Sequence, residues 1–446
     1  MSINEPTNTK SALHRSWLIC FAGMLFYCFN YFLRSSPSFM QSNLIEALHL
    51  TATQFGTMIS FYYFAYTPMQ IPAGMIYDKF GVRFVLFSAS LVAVIGLSFF
   101  CVAESFLVAC LGRFLIGLGS AFAYIGVLKL ASIWLPPTRF ALAAGMTTAI
   151  GMSSAALSQK YLSKLIDIFN YKPILQVAII IGIIVSLFIL YMLRHKPHDK
   201  VEARHTASLD AKNIFSILKV MFSNPQMWIV GIIGCVLYLP SVVFLDVYGI
   251  SYFKIAHNMS SEQAANVSAL TFFGWILGGP IMGILSDKMQ KRTFPLMLTS
   301  AITAVLLYAI FYYPGLTVNQ LYVAAFFAGI CCGAHPLCFA IGKENYPQHL
   351  AGTAVAVTNT FIMLGGVIFP PIIGSLLDLH TNGHLSSGLP IYTAHDYTFA
   401  LNIVPLGVIL GTVLTFFLKE TYGGIQVQEK ELAGTTESTD GRLVSI

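Results

Sequence analysis

The feature that most limits what this chain can become is a hairpin that occurs twice. Gly74-Met-Ile-Tyr-Asp78-Lys79-Phe-Gly81-Val-Arg83 closes one long apolar run and opens the next, and Gly283-Ile-Leu-Ser-Asp287-Lys288, followed by Lys291 and Arg292, does the same 209 residues later. Each copy sets a small residue four places before an aspartate and a cation after it. A repeat at this separation, flanked by runs long enough for membrane helices of about 20 residues, points to one six-helix design used twice.

The solvent for such a chain is lipid. Hydrophobic residues make up 56% of the 446 and charged residues 10%, where a soluble domain carries about 25% charged. Apolar runs predict helices near residues 15–40, 53–77, 84–102, 105–134, 140–162 and 171–193, then near 226–252, 262–285, 294–313, 318–342, 350–377 and 397–418. The expected fold is an all-α integral membrane protein of twelve transmembrane helices, in two pseudo-symmetric six-helix bundles at 15–193 and 226–418. Residues 194–225 form a polar linker with a short amphipathic helix expected at Lys212–Met221, and 1–14 and 419–446 are polar tails.

Charge places the ends. With tails and linker inside, 18 of the 25 Lys and Arg lie in inner segments, four (Lys160, Lys164, Lys172, Lys254) in outer loops and three within spans. That asymmetry obeys the positive-inside rule, so both termini are expected on the cytoplasmic side of a cell (inner) membrane. Nucleic acid is not an expected partner, because no basic stripe with aromatic platforms sits on a soluble domain. The eight cysteines lack metal-ligand spacing, and no phosphate-cradling loop, nucleophile elbow or zinc-protease helix appears. No enzyme activity, cofactor or metal is therefore expected.

Asp78 falls at the carboxyl end of its own helix, where the macrodipole disfavours an anion. It should be offset by a cation such as Arg83 or by the amino end of another helix. On Gly74, Asp78, Lys79, Gly81 and Arg83, with the second copy around Gly283 and Asp287, the chain resembles the major facilitator superfamily over essentially its whole length. A further echo links Pro137-Thr-Arg139-Phe-Ala-Leu-Ala-Ala-Gly145 with Pro347-Gln-His-Leu-Ala-Gly352-Thr. The resemblance implies two bundles that rock about a midplane site, gating at the hairpins, and the eleventh helix as partner of Asp78. It is to bacterial uptake members, with a faint likeness to the phagosomal-transporter and lysosomal dipeptide-transporter branches.

Ionisable groups inside spans cost roughly 2.5–3.5 kcal/mol each on insertion scales, so each needs a partner or a task. Arg34 lies in the outer part of the first helix and Asp246 in the outer part of the seventh, 212 residues apart and so near-equivalent in the repeat. Opposite charges there either close an outer gate, divide a zwitterion between them, or form a permanent salt bridge away from substrate. Arg113 with Gly117 resembles the family's fourth-helix motif, which is linked to proton coupling, although the acid well inside a span is Asp246, in the other half. His335 is a titratable candidate or a packing residue, and Lys129 binds or snorkels to the inner interface. Tyr27, Tyr31, Tyr66, Gln70, Tyr238, Trp275 and Asn359 are cavity candidates by helix and polarity.

The resemblance and the buried charges together predict a monomeric secondary active transporter. Its expected cargo is a small polar solute (an amino acid, short peptide or small organic anion), taken up with a proton by alternating access. An organophosphate or organic-anion exchanger, a metabolite or siderophore exporter and a non-transporting membrane sensor are the alternatives. The fifth helix lacks the Gly-Pro pair typical of drug–proton antiporters, which weighs against multidrug efflux.

Overall fold

The structure, a computed structural model, describes residues 9–194, 211–313, 315–347, 350–381, 385–386 and 389–422. Among them, eleven helices are long and apolar enough to cross a membrane. The expected second span is the exception. It is present as two pieces, Ala52–Met69 and Pro72–Phe80, parted at Gln70–Ile71. Pro72 has no N–H and its ring crowds the preceding turn, so the helix restarts there with Pro72 as its first residue. The first piece also carries Tyr62, Tyr63 and Tyr66, a composition suited to a helix facing protein.

The first span runs from Thr9 to Leu48, eight residues further than its apolar run predicts, because nothing in Gln41–Leu48 breaks a helix. It ends where His49 takes a left-handed φ of 49°. The third to sixth spans are Val82–Cys101, Phe106–Ser120 with Ala123–Trp134, Pro137–Phe169 and Tyr171–Met192. The seventh is continuous but changes pitch: α-helix at Pro225–Leu239, π-helix at Pro240–Tyr248 and α-helix at Gly249–Ala256. The eighth and ninth are Ser261–Met289 and Thr293–Tyr312. Val318–Cys332 with Leu337–Glu344 makes the tenth, Ala351–His380 the eleventh, and Ala394–Leu401 with Ile403–Thr415 the twelfth. The amphipathic helix expected in the linker is present at Ala211–Phe222, and Tyr346 donates to its Met221 carbonyl at 3.2 Å. Residues 1–8, 195–210 and 423–446, which hold most of the expected tails and linker, lie outside the described residues.

Within the first half the third span packs on the fourth and the first on the fifth; within the second half the eighth packs on the tenth and the ninth on the twelfth. Between halves the second lies along the eleventh, the fifth along the eighth and the first against the seventh. Side chains such as Ile180, Ile184, Leu187 and Val305 stay exposed on the outside of the bundles, where lipid covers them.

The two faces of the molecule differ. On the far face, away from the termini, the second and eleventh spans meet backbone to backbone: a Cβ at Gly56 would fall 2.1 Å from the Pro370 carbonyl oxygen, and one at Gly374 would fall 2.2 Å from that of Ala52. On the near face, Gly74, Gly145, Gly283 and Gly352 have nothing within 4 Å of a Cβ position. The halves are closed at the far face and parted at the near face.

Candidate functional site

A proline sets up the centre of the molecule. Pro37 in the first span has no N–H to give the Leu33 carbonyl, which is left without its helical donor. Arg113 of the fourth span fills the gap, with Nη1 donating to that oxygen at 2.8 Å, and Ser36 Oγ adds a second donor at 3.1 Å. Arg113 is fully buried and lies 5.0 Å above the Tyr62 ring. The next residue after Leu33 is Arg34, so the fourth span fixes the stretch that carries it.

Arg34 points to the other half. Its Nη2 lies 3.1 Å from Asp246 Oδ2, with side chains 7% and 2% exposed. It is a close ion contact whose angles fall short of a hydrogen bond. Arg34 Nη1 donates to Tyr238 Oη at 3.0 Å, and the Tyr31 ring lies 4.2 Å from the guanidinium carbon. Asp246 sits on the π-helical segment, which begins at Pro240; such wide turns concentrate at functional sites. The segment is braced across the halves by Gln159 of the fifth span, whose Nε2 donates to the Leu245 carbonyl at 3.0 Å.

Aromatic rings line one side of this pair. Tyr238 stacks on His335 at 4.8 Å and meets Trp275 edge-on at 5.8 Å. His335 Nε2 lies 3.2 Å from the Gly234 carbonyl and donates to it. Toward the near face, Tyr27 contacts Tyr31 at 5.0 Å and Tyr66 stacks on Tyr62 at 5.7 Å. Asn359 Nδ2 donates to Gln70 Oε1 at 2.8 Å, joining the eleventh span to the second. Tyr27, Tyr66 and Asn359 are half-buried where Arg34 and Asp246 are buried, so accessibility falls from the near face toward the ion pair. Buried donors without a protein partner lie on the same spans: Asn30 Nδ2 on the first, Tyr63 Oη and Thr67 Oγ1 on the second and Ser241 Oγ on the π-helical segment, with Gln70 Nε2 on the approach from the near face. Among the described residues buried at mid-span, Arg34 and Arg113 are cations and Asp246 is the acid, which leaves one positive charge in excess.

The hairpins lie elsewhere, at the near face. Asp78 pairs with Lys129 Nζ at 2.5 Å, in a contact that is a third to a half exposed. In this state Asp78 therefore takes neither Arg83, which is exposed, nor the amino end of the eleventh span; with the near face open, that end is out of reach. Asp287 accepts from Arg292 Nη1 at 2.7 Å, and Arg292 also grips Glu344 at 3.1 Å. Burial opposes the Arg292 charge, yet these two carboxylates outweigh it and raise its pKa. Glu420, beyond the twelfth span, accepts from the Arg292 and Thr293 amides at 2.8 and 3.1 Å and so caps the ninth span.

A family model described as Major Facilitator Superfamily matches residues 21–370. The chain belongs to the major facilitator superfamily. Among curated relatives of this facilitator, an uncharacterized transporter, YybO, of Bacillus subtilis (strain 168) is 26% identical over 92% of this chain and 98% of its own length. A probable sulfoacetate transporter, SauU, of Cupriavidus necator (strain ATCC 17699 / DSM 428 / KCTC 22496 / NCIMB 10442 / H16 / Stanier 337) is 25% identical over 79% and 85%. A probable galactarate/D-glucarate transporter, GarP, of Escherichia coli (strain K12) is 23% identical over 85% and 93%. The fold matches that of a bacterial homologue of the human lysosomal transporter Spinster, solved inward-facing and unoccupied, with a TM-score of 0.69, 18% identity and coverage of 90% and 95%. This facilitator is thus a multi-pass membrane transporter, and its relatives are transporters, not enzymes.

Of the residues singled out in its sequence, Arg34, Asp246, Tyr31, Tyr238, Trp275 and His335 come together at one place. Tyr27, Tyr66, Gln70 and Asn359 lie on the approach to it from the near face, and Arg113 stands behind it. Gly74, Asp78, Arg83, Lys129 and Asp287 belong to the near-face hairpins. Sequence reasoning passed over Asn30 and Gln159, of which Gln159 stands out as a polar residue in an apolar span.

Proposed function

We propose that this facilitator carries a small organic anion inward together with a proton, with Arg34 as the carboxylate site. The observation that carries this is a buried centre with two guanidiniums and one carboxylate, beside buried donors without protein partners. When the Asp246 carboxyl is protonated, a cargo carboxylate takes over its charge and the balance of the site is kept, whereas the ammonium of a zwitterion would lose Asp246 as its counter-ion; hydroxyls on a sugar-acid-like cargo meet the unpaired amide and hydroxyl groups. The similarity to the sulfoacetate and galactarate/D-glucarate transporters supports the same class. A guanidinium presents two parallel N–H donors to a carboxylate; here Nη1 is given to Tyr238 and Nη2 faces Asp246 without a full hydrogen bond, so a cargo carboxylate has donors to take. The incoming carboxylate replaces Asp246 on Arg34, and the released Asp246 carboxyl takes up a proton, so that anion and proton cross together. The near face, with its excess of Lys and Arg, is the cytoplasmic one, and the far face is where cargo enters. The facilitator acts as a monomer and needs no cofactor.

A thermal-shift screen of the purified facilitator tests this, since a ligand that binds the folded form raises apparent stability by mass action. Sulfoacetate, glucarate and other small carboxylates should raise the midpoint, and amino acids, dipeptides and sugar phosphates should not. The shift should vanish in Arg34→Met. Stabilisation by dipeptides, or anion stabilisation that survives Arg34→Met, would overturn the assignment.

A further inference from the structure

The far face is closed by more than the central ion pair. The second span begins at Ala52, and the N–H groups of its first turn have no intrahelical partner. Gln54 N–H is met locally, by Thr51 Oγ1 at 3.2 Å. Ala52 and Thr53 are met from the other half of the molecule: their amides donate to Asp378 Oδ1 and Oδ2 at 3.0 and 2.8 Å, and the Thr53 hydroxyl donates to Oδ2 at 2.6 Å. Tyr392, on the connection to the twelfth span, donates to Asp378 Oδ1 at 2.5 Å and accepts from Ala52 N–H at 3.0 Å.

Asp378 stands near the carboxyl end of its own helix, Ala351–His380, where the macrodipole disfavours an anion. Its position makes sense through the neighbouring helix. The second and eleventh spans run antiparallel, so the acid at the end of one faces the positive amino end of the other. Asp78 has the corresponding placement at the opposite end of this helix pair, on the face where the eleventh span begins at Ala351. In the present state the far-face contact is made, whereas Asp78 is held by Lys129. We propose that Asp378 is the far-face latch of the transport cycle: it caps the second span while the near face is open and releases it when the far face opens. Opening hands the Ala52 and Thr53 amides to water, which can solvate them because they lie at a helix end.

Hydrogen–deuterium exchange of the full-length facilitator in lipid nanodiscs tests this. Asp378→Asn removes the charge and turns one acceptor into a donor facing N–H groups. Exchange in residues 52–63 and 366–378 should then quicken by about tenfold or more, as expected for loss of charge-assisted bonds. At the same time the near-face segments 74–83 and 350–356 should become slower to exchange, because the population moves toward the far-open state. Tyr392→Phe and Thr53→Val, which each remove one hydroxyl, should give smaller changes of the same two signs, and they carry the test should Asp378→Asn fold poorly. Faster exchange at 52–63 without slower exchange at the near face would make Asp378 a helix cap only. Unchanged exchange at both would remove even that role. Either result overturns the proposal.

Discussion

The Arg34–Asp246 pair makes a quantitative test of what holds the centre of this facilitator together. Asp246→Leu leaves a guanidinium 7% exposed that cannot shed its proton. Breaking a buried ion pair from one side costs about 3–5 kcal/mol. Arg34 keeps its bond to Tyr238 and the Tyr31 ring at 4.2 Å. The ring contact is worth about 0.5–2 kcal/mol, so the loss should fall at the lower end of that range. Arg34→Leu should cost less, about 1–3 kcal/mol, the usual penalty of an unsatisfied buried polar group, because a stranded carboxyl can take up a proton. The double variant Arg34→Leu/Asp246→Leu strands no charge, and with only the Tyr238 hydroxyl left without its partner it should fall within about 1–2 kcal/mol of the parent. The coupling energy is then roughly 3–5 kcal/mol. Denaturation of the solubilised protein, run on all four forms, measures it. The double variant should regain stability while its carboxylate binding stays lost. If the two single losses simply add in the double variant, the pair is not a coupled buried contact and the account of the closed centre fails.

Three further outcomes are expected. Gly56→Ala places a Cβ 2.1 Å from a carbonyl and should abolish closure of the far face, seen as uptake in proteoliposomes at least tenfold below the parent; Gly74→Ala, with open space around it, should leave the stability of the near-open state unchanged. Arg113→Ala takes the charged donor from the buried Leu33 carbonyl, leaving it Ser36 alone, and should cost about 1.5–3 kcal/mol, the worth of a hydrogen bond to a charged group; Arg113→Lys, which can still reach Leu33 with one donor, should regain much of that stability while anion binding is weakened by the displaced Arg34, as read by the shift in midpoint with sulfoacetate. For Glu420, burial opposes the charge, but the bonds from Arg292 and Thr293 outweigh it and hold the carboxyl below its ordinary 4.5. A depressed pKa contributes stability that is full above the unfolded value and fades as pH falls through the folded one, so the difference between the parent and Glu420→Gln should be constant above pH 4.5 and shrink below it.

The architecture was legible because hydropathy and a 209-residue repeat are properties that chain composition alone imposes on a membrane protein. Arg34 and Asp246 were legible for the same reason: a charge in a lipid-facing stretch has to be explained. The partner of Asp78 was not. Lys129 is 51 residues away on another helix, and which cation or helix end takes Asp78 depends on the conformational state, not on the local pattern. The π-helix at Pro240–Tyr248 was equally hidden, since Pro240 announces a disturbed helix without saying whether it kinks, breaks or widens. Asp378 looked like an acid at a helix end near the water, the commonest and least informative place for one. Its meaning comes from the antiparallel neighbour that brings Ala52 beside it.

One chemical device recurs where helices of this facilitator meet. Pro37 frees the Leu33 carbonyl for Arg113, and Pro370, four residues after Gly366, frees the Gly366 carbonyl, which accepts from Ser60 across the halves at 3.1 Å. Pro370's own carbonyl accepts from Tyr248 at 2.8 Å. A proline inside a membrane helix would ordinarily be a liability, since a stranded carbonyl has no water to turn to. Here the stranded acceptors are where other helices attach, so the backbone supplies the acceptor at a fixed position and only the donor, Arg113 or Ser60, has to be a side chain. The fixed and the reversible contacts then differ in one respect. Leu33 is capped from within its own half by a buried arginine and has no reason to open. Gly366 is capped from the opposite half by a short hydroxyl on a helix whose end is held by Asp378, and such a bond can be traded for one to water as the far face separates.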